Sequence, residues 1–183
     1  MDRTLVLRAI QGDEDAYASL MTMAGDRLLA IAFRILRDLQ SAEDAVQVAL
    51  VSAWRDLPSL RDPDRFEAWL TRLLIRACYA EARRRRRWSV RMRVLPLDGP
   101  EGPDPTLSIA DRDQLDRGFQ RLPVDQRAIF ILHHYLGWTH AEIAQTLDIP
   151  VGTVKSRLYY ATQTLRAALE ADARTVTSAE RSA

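Results

Sequence analysis

The stretch from Thr139 to Leu165 holds the side chains best suited to act on another molecule. Gly152, Thr153, Lys155, Ser156, Arg157, Tyr159 and Tyr160 crowd into the first turns of one segment. They are small, basic and aromatic hydrogen-bonding residues, a set that suits base edges and phosphates better than bond making. Nothing nearby supplies a nucleophile with its base. The chain has no Gly-rich phosphate loop, no nucleophile elbow and no metal-ligand set. His133, His134 and His140 form no pair at i, i+4, and Cys78 is far off in sequence, so no metal is expected. The expectation is binding without catalysis and without a cofactor.

The elements that must position these residues are legible. Thr139 followed by Glu142 is a capping box that opens a short helix, His140 to Leu147. Asp148-Ile149-Pro150 makes a turn, and a long helix runs from Val151 to about Ala171, with a polar tail from Thr175. Ala144 suits the close approach of the two helices, Val154 the inner face of the second, and Ile143, Leu147 and Leu158 the core between them. Asp148 takes the tight turn, where a left-handed backbone favours Gly, Asn or Asp. A short helix, a turn and an amphipathic helix read as a helix-turn-helix. The N-terminal half of the second helix is the end such a motif presents to the major groove. Pairs of amphipathic helices with short turns are common in all-α proteins, and most bind no DNA.

The rest of the chain adds weight. Its 183 residues allow one medium or two small domains. Good helix formers dominate and glycine is sparse, so an all-α fold is expected. Upstream, helices are expected over Leu5–Gln11 and Asp15–Arg37, with a bend at Gly25. A third opens at Ser41 as N-cap, with Glu43 and Asp44 in its first turn, and ends near Asp56 before Pro58. Its core side is read as Ala45, Val48, Ala49 and Ser52. After a loop from Ser59 to Asp64, Phe66, Trp69, Leu70, Leu73, Leu74 and Ala77 form the apolar stripe of a long helix. Trp54, Trp69 and Trp138 are assigned to core.

That long helix runs into the arginines Arg83 to Arg87, with Arg91 and Arg93 beyond and no acid among them. Asp98, Glu101, Asp104, Asp111 and Asp113 follow, so a net charge of +1 conceals two surfaces of opposite sign. Packing so much like charge is repulsive unless a polyanion compensates it. Leu95 to Pro105 is dense in Pro and Gly and marks a linker between two helical domains. Cys78 excludes an internal disulfide, being the only cysteine, and is expected buried and inert. No apolar run approaches the ~20 residues of a membrane span, and no signal peptide is visible. A cytoplasmic protein without membrane insertion is expected.

Several of these stretches resemble the sigma-70 family of RNA polymerase sigma factors, best its small extracytoplasmic-function (ECF) group. Leu122-Pro123, Arg127, Gly137-Trp138-Thr139, Glu142-Ile143-Ala144, Leu147 and Gly152 to Leu158 resemble its C-terminal region. Ser41 to Gln47, Trp54-Arg55, Phe66 and Trp69-Leu70 resemble its other retained domain. The resemblance implies region 2 over residues 1–93, a linker over 94–107, and region 4 over 108–183. It implies core RNA polymerase and promoter DNA as partners, and an anti-sigma factor as a further one.

Under it, Asp44 and Gln47 dock on polymerase. Arg61, Asp62, Phe66, Arg76, Arg83 and Arg84 serve the minus-ten element. Thr153, Lys155, Ser156, Tyr159 and Tyr160 face the minus-thirty-five element, with Thr139 and Arg157 on phosphates. The acidic linker would lie near the nascent RNA path. The chain departs from the family at Arg76, where Asn is frequent, at Ala80, where Asp is, and at Tyr160, where Arg is common. Arg76 then contacts phosphate or acts on the unpaired base in another way, and Tyr160 implies a shifted minus-thirty-five preference.

Two other classes compete. A stand-alone repressor or activator would use the same motif but usually dimerises on a palindrome, and no dimerisation helix or ligand domain is evident. An enzyme would need the catalytic constellations already found missing.

Overall fold

The computed structural model describes residues 1–91 and 118–180, with side chains over 1–87 and 118–170. The described elements are all helical. By contacts the chain divides into two compact units, Met1–Asp98 and Gly99–Ala183. The expected linker and the whole acidic block lie outside the described residues, as do Arg93, Ile109 and Leu115.

The first unit packs α1 (Arg3–Ile10), α2 (Glu14–Leu36), α3 (Leu39–Asp56) and α4 (Phe66–Arg91), with short 3-10 turns at Leu57–Ser59 and Pro63–Arg65. Each of the first three helices starts on an aspartate. Asp2, Asp13 and Asp38 accept hydrogen bonds from the amides of Thr4, Ala16 and Ser41 at 2.8, 3.0 and 2.8 Å. These bonds satisfy amides that a helix start leaves without partners. The expected cap at Ser41 is therefore corrected. Asp38 meets the requirement first, Ser41 becomes an interior residue only 7% exposed, and the first turn of α3 holds no acid. Helix α2 runs unbroken through Gly25.

The core face of α3 is Ala42, Ala45, Ala49 and Ala53, all buried, whereas Val48 is 55% exposed. Small side chains on this line let α3 approach α2 and α4 closely, since interaxial distance follows side-chain size. Leu20, Leu28, Ile31 and Ile35 of α2 and Leu70, Leu74, Ile75 and Cys78 of α4 are buried around it, where the three helices pack on one another. Tyr17 adds a tether by donating its hydroxyl to the Leu50 carbonyl at 2.6 Å. Cys78 is fully buried, and burial pushes its thiol up to about 12.

In the second unit residues 118–121 are helical, followed by α5 (Val124–His134), α6 (His140–Leu147) and α7 (Val151–Glu180). Helix α7 continues past the expected end near Ala171. Gly118 sits at a close approach: a Cβ there would lie 3.0 Å from Leu165 Cδ2 and 3.3 Å from Ala168 Cβ, so α7 or the Leu165 side chain would have to give slightly. Ala128, Ile129, Leu132, Ile143, Val154 and Ala161 form the centre of the core. Arg127 is a charged residue inside it, 7% exposed, and donates from Nη2 to the Leu122 carbonyl at 2.9 Å. Among the described residues no helix is long and apolar enough to cross a membrane.

Candidate nucleic-acid interface

Helix α7 owes its position to the turn before it. Thr139 Oγ1 accepts from the Glu142 amide at 3.2 Å, and a Glu142 carboxylate oxygen accepts from the Thr139 amide at 2.7 Å, closing the capping box. The Thr139 amide holds the Glu142 carboxyl below its ordinary range. Asp148 ends α6 in the left-handed region, φ 58° and ψ 52°. Its side chain tolerates a conformation most residues avoid. The Ile149 amide then donates back to the Ala144 carbonyl at 3.1 Å, and Val154 anchors α7 at 0% exposure. Leu147 and Leu158 are half-buried at the edge of this contact.

The outward face of α7 is set by that anchor. Lys155 and Ser156 are exposed and Thr153 is half-buried. Tyr159 and Tyr160 are 60% and 59% exposed, with their rings edge-to-face at 5.6 Å. Arg157 turns the other way, placing Nε 3.1 Å from an Asp125 carboxylate oxygen on α5. Thr139 is likewise occupied by its own helix start. Both can reach a phosphate only by sharing or surrendering those bonds. Gln163 and Arg166, which sequence reasoning passed over, are exposed on later turns. They follow Ser156 and Tyr159 by seven residues, two helical turns, and so continue the same face.

In the first unit the loop residues Arg61 and Asp62 are exposed. Asp62 also caps the second 3-10 turn, accepting from the Asp64 amide at 3.0 Å. Phe66 requires a correction. It is 1% exposed and packs on Trp69 with ring centroids 5.9 Å apart, so its ring belongs to the core and can only position the loop. Just beyond it, Glu67 accepts from Arg27 of α2 at 2.8 Å and ties the loop's exit to the bundle.

On α4, Arg76 and Arg83 are exposed. Arg84 does not stand free beside them: its guanidinium lies 2.8 Å from Glu81 and 2.8 Å from Asp44. Arg85 reaches Asp38 at 3.0 Å. Burial raises the Asp38 carboxyl, but the Ser41 amide and hydroxyl and Arg85 together outweigh it and hold it below the ordinary range.

Asp44 and Gln47 line an open groove between α2 and α3 with Asp26, Gln40, Glu43 and Leu50. Beside them Val48, Val51 and Trp54 are 55%, 66% and 44% exposed. The expected core roles of Val48 and Trp54 are thus corrected, although Trp54 leans on Tyr17 at 4.8 Å between ring centroids. These residues recur at three- and four-residue spacing and form one exposed ridge. The alanine line opposite them was the signal that could have revealed it. Trp69 and Trp138 are half-buried.

Residues 20–88 match the family described as Sigma-70 region 2, and residues 112–165 the family described as Sigma-70, region 4. The ECF RNA polymerase sigma factor SigL of Mycobacterium tuberculosis is 33% identical over 88% of this chain and 95% of its own length. The RNA polymerase sigma-H factor of Pseudomonas aeruginosa is 29% identical over 92% of this chain and 94% of its own. Among solved structures, the sigma factor RpoE of Bartonella quintana, in complex with the anti-sigma factor NepR, superposes with a TM-score of 0.69 at 25% identity, covering 85% of this chain and 98% of that one. CnrH, in complex with the cytosolic domain of CnrY, gives 0.68 at 26% identity, covering 93% and 98%. The chain belongs to the ECF RNA polymerase sigma factors, carrying regions 2 and 4 of the sigma-70 family.

Proposed function

We propose that this chain binds core RNA polymerase through the exposed ridge of α3 and directs it to promoters. The minus-ten element is read by the loop and α4 of the first unit, and the minus-thirty-five element by α7 of the second. The observation that carries this reading is the outward face of α7. Lys155, Ser156, Tyr159 and Tyr160 stand exposed in its first three turns, behind a rigid left-handed turn, as a helix entering a major groove requires. Lys155 supplies the cation and Ser156 and the tyrosines the neutral hydrogen bonds, with Thr153, Thr139 and Arg157 at the groove edge.

Asp44 and Gln47, flanked by Val48, Val51 and Trp54, make the polymerase contact: an apolar centre with a polar rim is how protein interfaces are built. The domain limits 1–93 and 108–183, with a linker over 94–107, go with this division. The protein acts without catalysis and in the cytoplasm. One solved relative, RpoE of Bartonella quintana, is in complex with an anti-sigma factor, and we extend such a partner to this chain.

The test is comigration of the purified protein with bacterial core RNA polymerase, followed by transcription from defined sites on genomic DNA. Comigration with specific starts supports the reading and yields the promoter motif. Duplex binding without polymerase binding identifies a stand-alone regulator instead.

A further inference from the structure

The arginine run of α4 is one block in sequence but two in space. Leu74 is the reference, fully buried against the bundle. At 3.6 residues per turn, Arg85, eleven residues later, returns to within about 20° of the Leu74 line, and Arg84 falls about 80° from it. Both therefore face α3, where Asp38 and Asp44 receive them at 3.0 and 2.8 Å. Arg83, nine residues from Leu74, lies directly opposite. Arg76 falls about 20° and Arg87 about 40° from Arg83, so the three share one face as a stripe about 16 Å long. All three are exposed, and none has an ion pair or hydrogen bond among the described residues.

Resting on the minus-ten reading above, we propose that Arg84 and Arg85 are a clasp that holds α4 on α3, and that Arg76, Arg83 and Arg87 are the track for the phosphates of the displaced DNA strand. This removes Arg84 from the DNA-contact set and adds Arg87. The chemistry agrees with the geometry. Unpaired guanidinium groups in a row suit a backbone carrying one charge per nucleotide. Guanidinium groups already facing carboxylates add little to it, because neutralising a phosphate would mean giving up an existing partner. Helical phase sorts the run, and the acids on α3 fix which side becomes the clasp.

The experiment uses the full chain bound to core polymerase, with a dT20 oligonucleotide as probe and core polymerase alone as baseline. Affinity is measured across a salt series for wild type, R83Q/R87Q and R84Q/R85Q, with melting temperature recorded for each chain. R83Q/R87Q should lower the slope of log affinity against log salt by about 1.4, the value for two lost contacts to a single strand, and leave melting unchanged. R84Q/R85Q should leave the slope unchanged and lower the melting temperature.

If R84Q/R85Q does not fold, D38N replaces it. Asn still caps α3, the partner of Arg85 is lost, and the slope should hold. An unmoved slope in R83Q/R87Q, or an equal fall in both double variants, overturns the partition. Comigration with polymerase is read separately: if the wild-type chain comigrates and the double variants fail the slope test, the partition alone falls, whereas a wild-type chain that never comigrates sinks the minus-ten reading beneath it as well.

Discussion

Arg84 Nη2 lies 2.8 Å from Oδ2 of Asp44, joining a residue expected to touch DNA to one expected to touch polymerase. The pair is solvent-exposed and screened, so it contributes little to stability. Its consequence is for interpreting mutants. Asp44→Arg places a cation in the polymerase contact and also repels Arg84. We expect it to weaken core polymerase binding about tenfold or more, as like-charge juxtaposition at an interface does. Arg84→Gln, which breaks the same pair from the other side, should leave polymerase affinity within about twofold on the same grounds. Titration of labelled protein with core polymerase measures both. Equal losses in the two variants would show that Asp44 acts through Arg84 and not through polymerase.

Lys155 and Tyr160 test the second unit. Lys155→Ala should weaken binding of the holoenzyme to promoter duplex by about 1 kcal/mol and reduce the salt slope by about 1, with polymerase affinity intact. Tyr160→Arg should raise that slope by about 1 and move the minus-thirty-five preference toward guanine, the base Arg reads best. Selection from a randomised upstream element reads the preference directly. An unchanged motif in Tyr160→Arg would remove residue 160 from the base-facing set.

The sequence was most legible where one local rule governs the outcome. The capping box at Thr139 and Glu142, the left-handed Asp148 and the inward Val154 each follow from chemistry within a few residues, and each stands where expected. It was least legible where two rules compete. Ser41 and Asp38 are both good caps, and only helix length decides between them. Val48 and the alanines of α3 are both apolar, and only close packing shows that the smaller residues go inside. Arg84 and Arg85 are indistinguishable from Arg83 and Arg87 by type. What separates them is helical phase together with acids forty or more positions upstream, a long-range relation that no local pattern carries. The burial of Phe66 was hidden for a related reason, because its family motif marks a loop without saying which loop residues face inward.

Phe66 can be tested as a core residue. Phe66→Ala should destabilise the first unit by about 3–5 kcal/mol, the usual cost of emptying a large aromatic site. Phe66→Leu should keep most of the stability and most of the transcription. Thermal melting of the full chain, read by circular dichroism, gives the first number, and start-site transcription the second. If Phe66→Ala melted like wild type while losing only minus-ten function, the ring would be a DNA contact after all.

Asp38 gives a pH-dependent prediction. Its carboxyl is held below the ordinary range, burial being outweighed by hydrogen bonds from Ser41 and by Arg85. A group whose folded pKa is depressed contributes stability that is present above its unfolded pKa and is lost as pH falls through the folded value. Asp38→Asn keeps a capping oxygen and loses the charge. At pH 7 it should be less stable than wild type by about 1 kcal/mol, or about 5 °C in melting temperature for a unit of this size. As pH falls from about 5 toward 2 the difference should shrink, because wild type then loses the same charge. Raising salt at pH 7 should narrow it too, since Arg85 is exposed to screening. Asp38→Ala removes the cap as well and should add about 1 kcal/mol of loss at every pH. A gap between Asp38→Asn and wild type that stayed constant from pH 7 to 3 would show that Asp38 acts only as a neutral cap and that its contact with Arg85 contributes nothing.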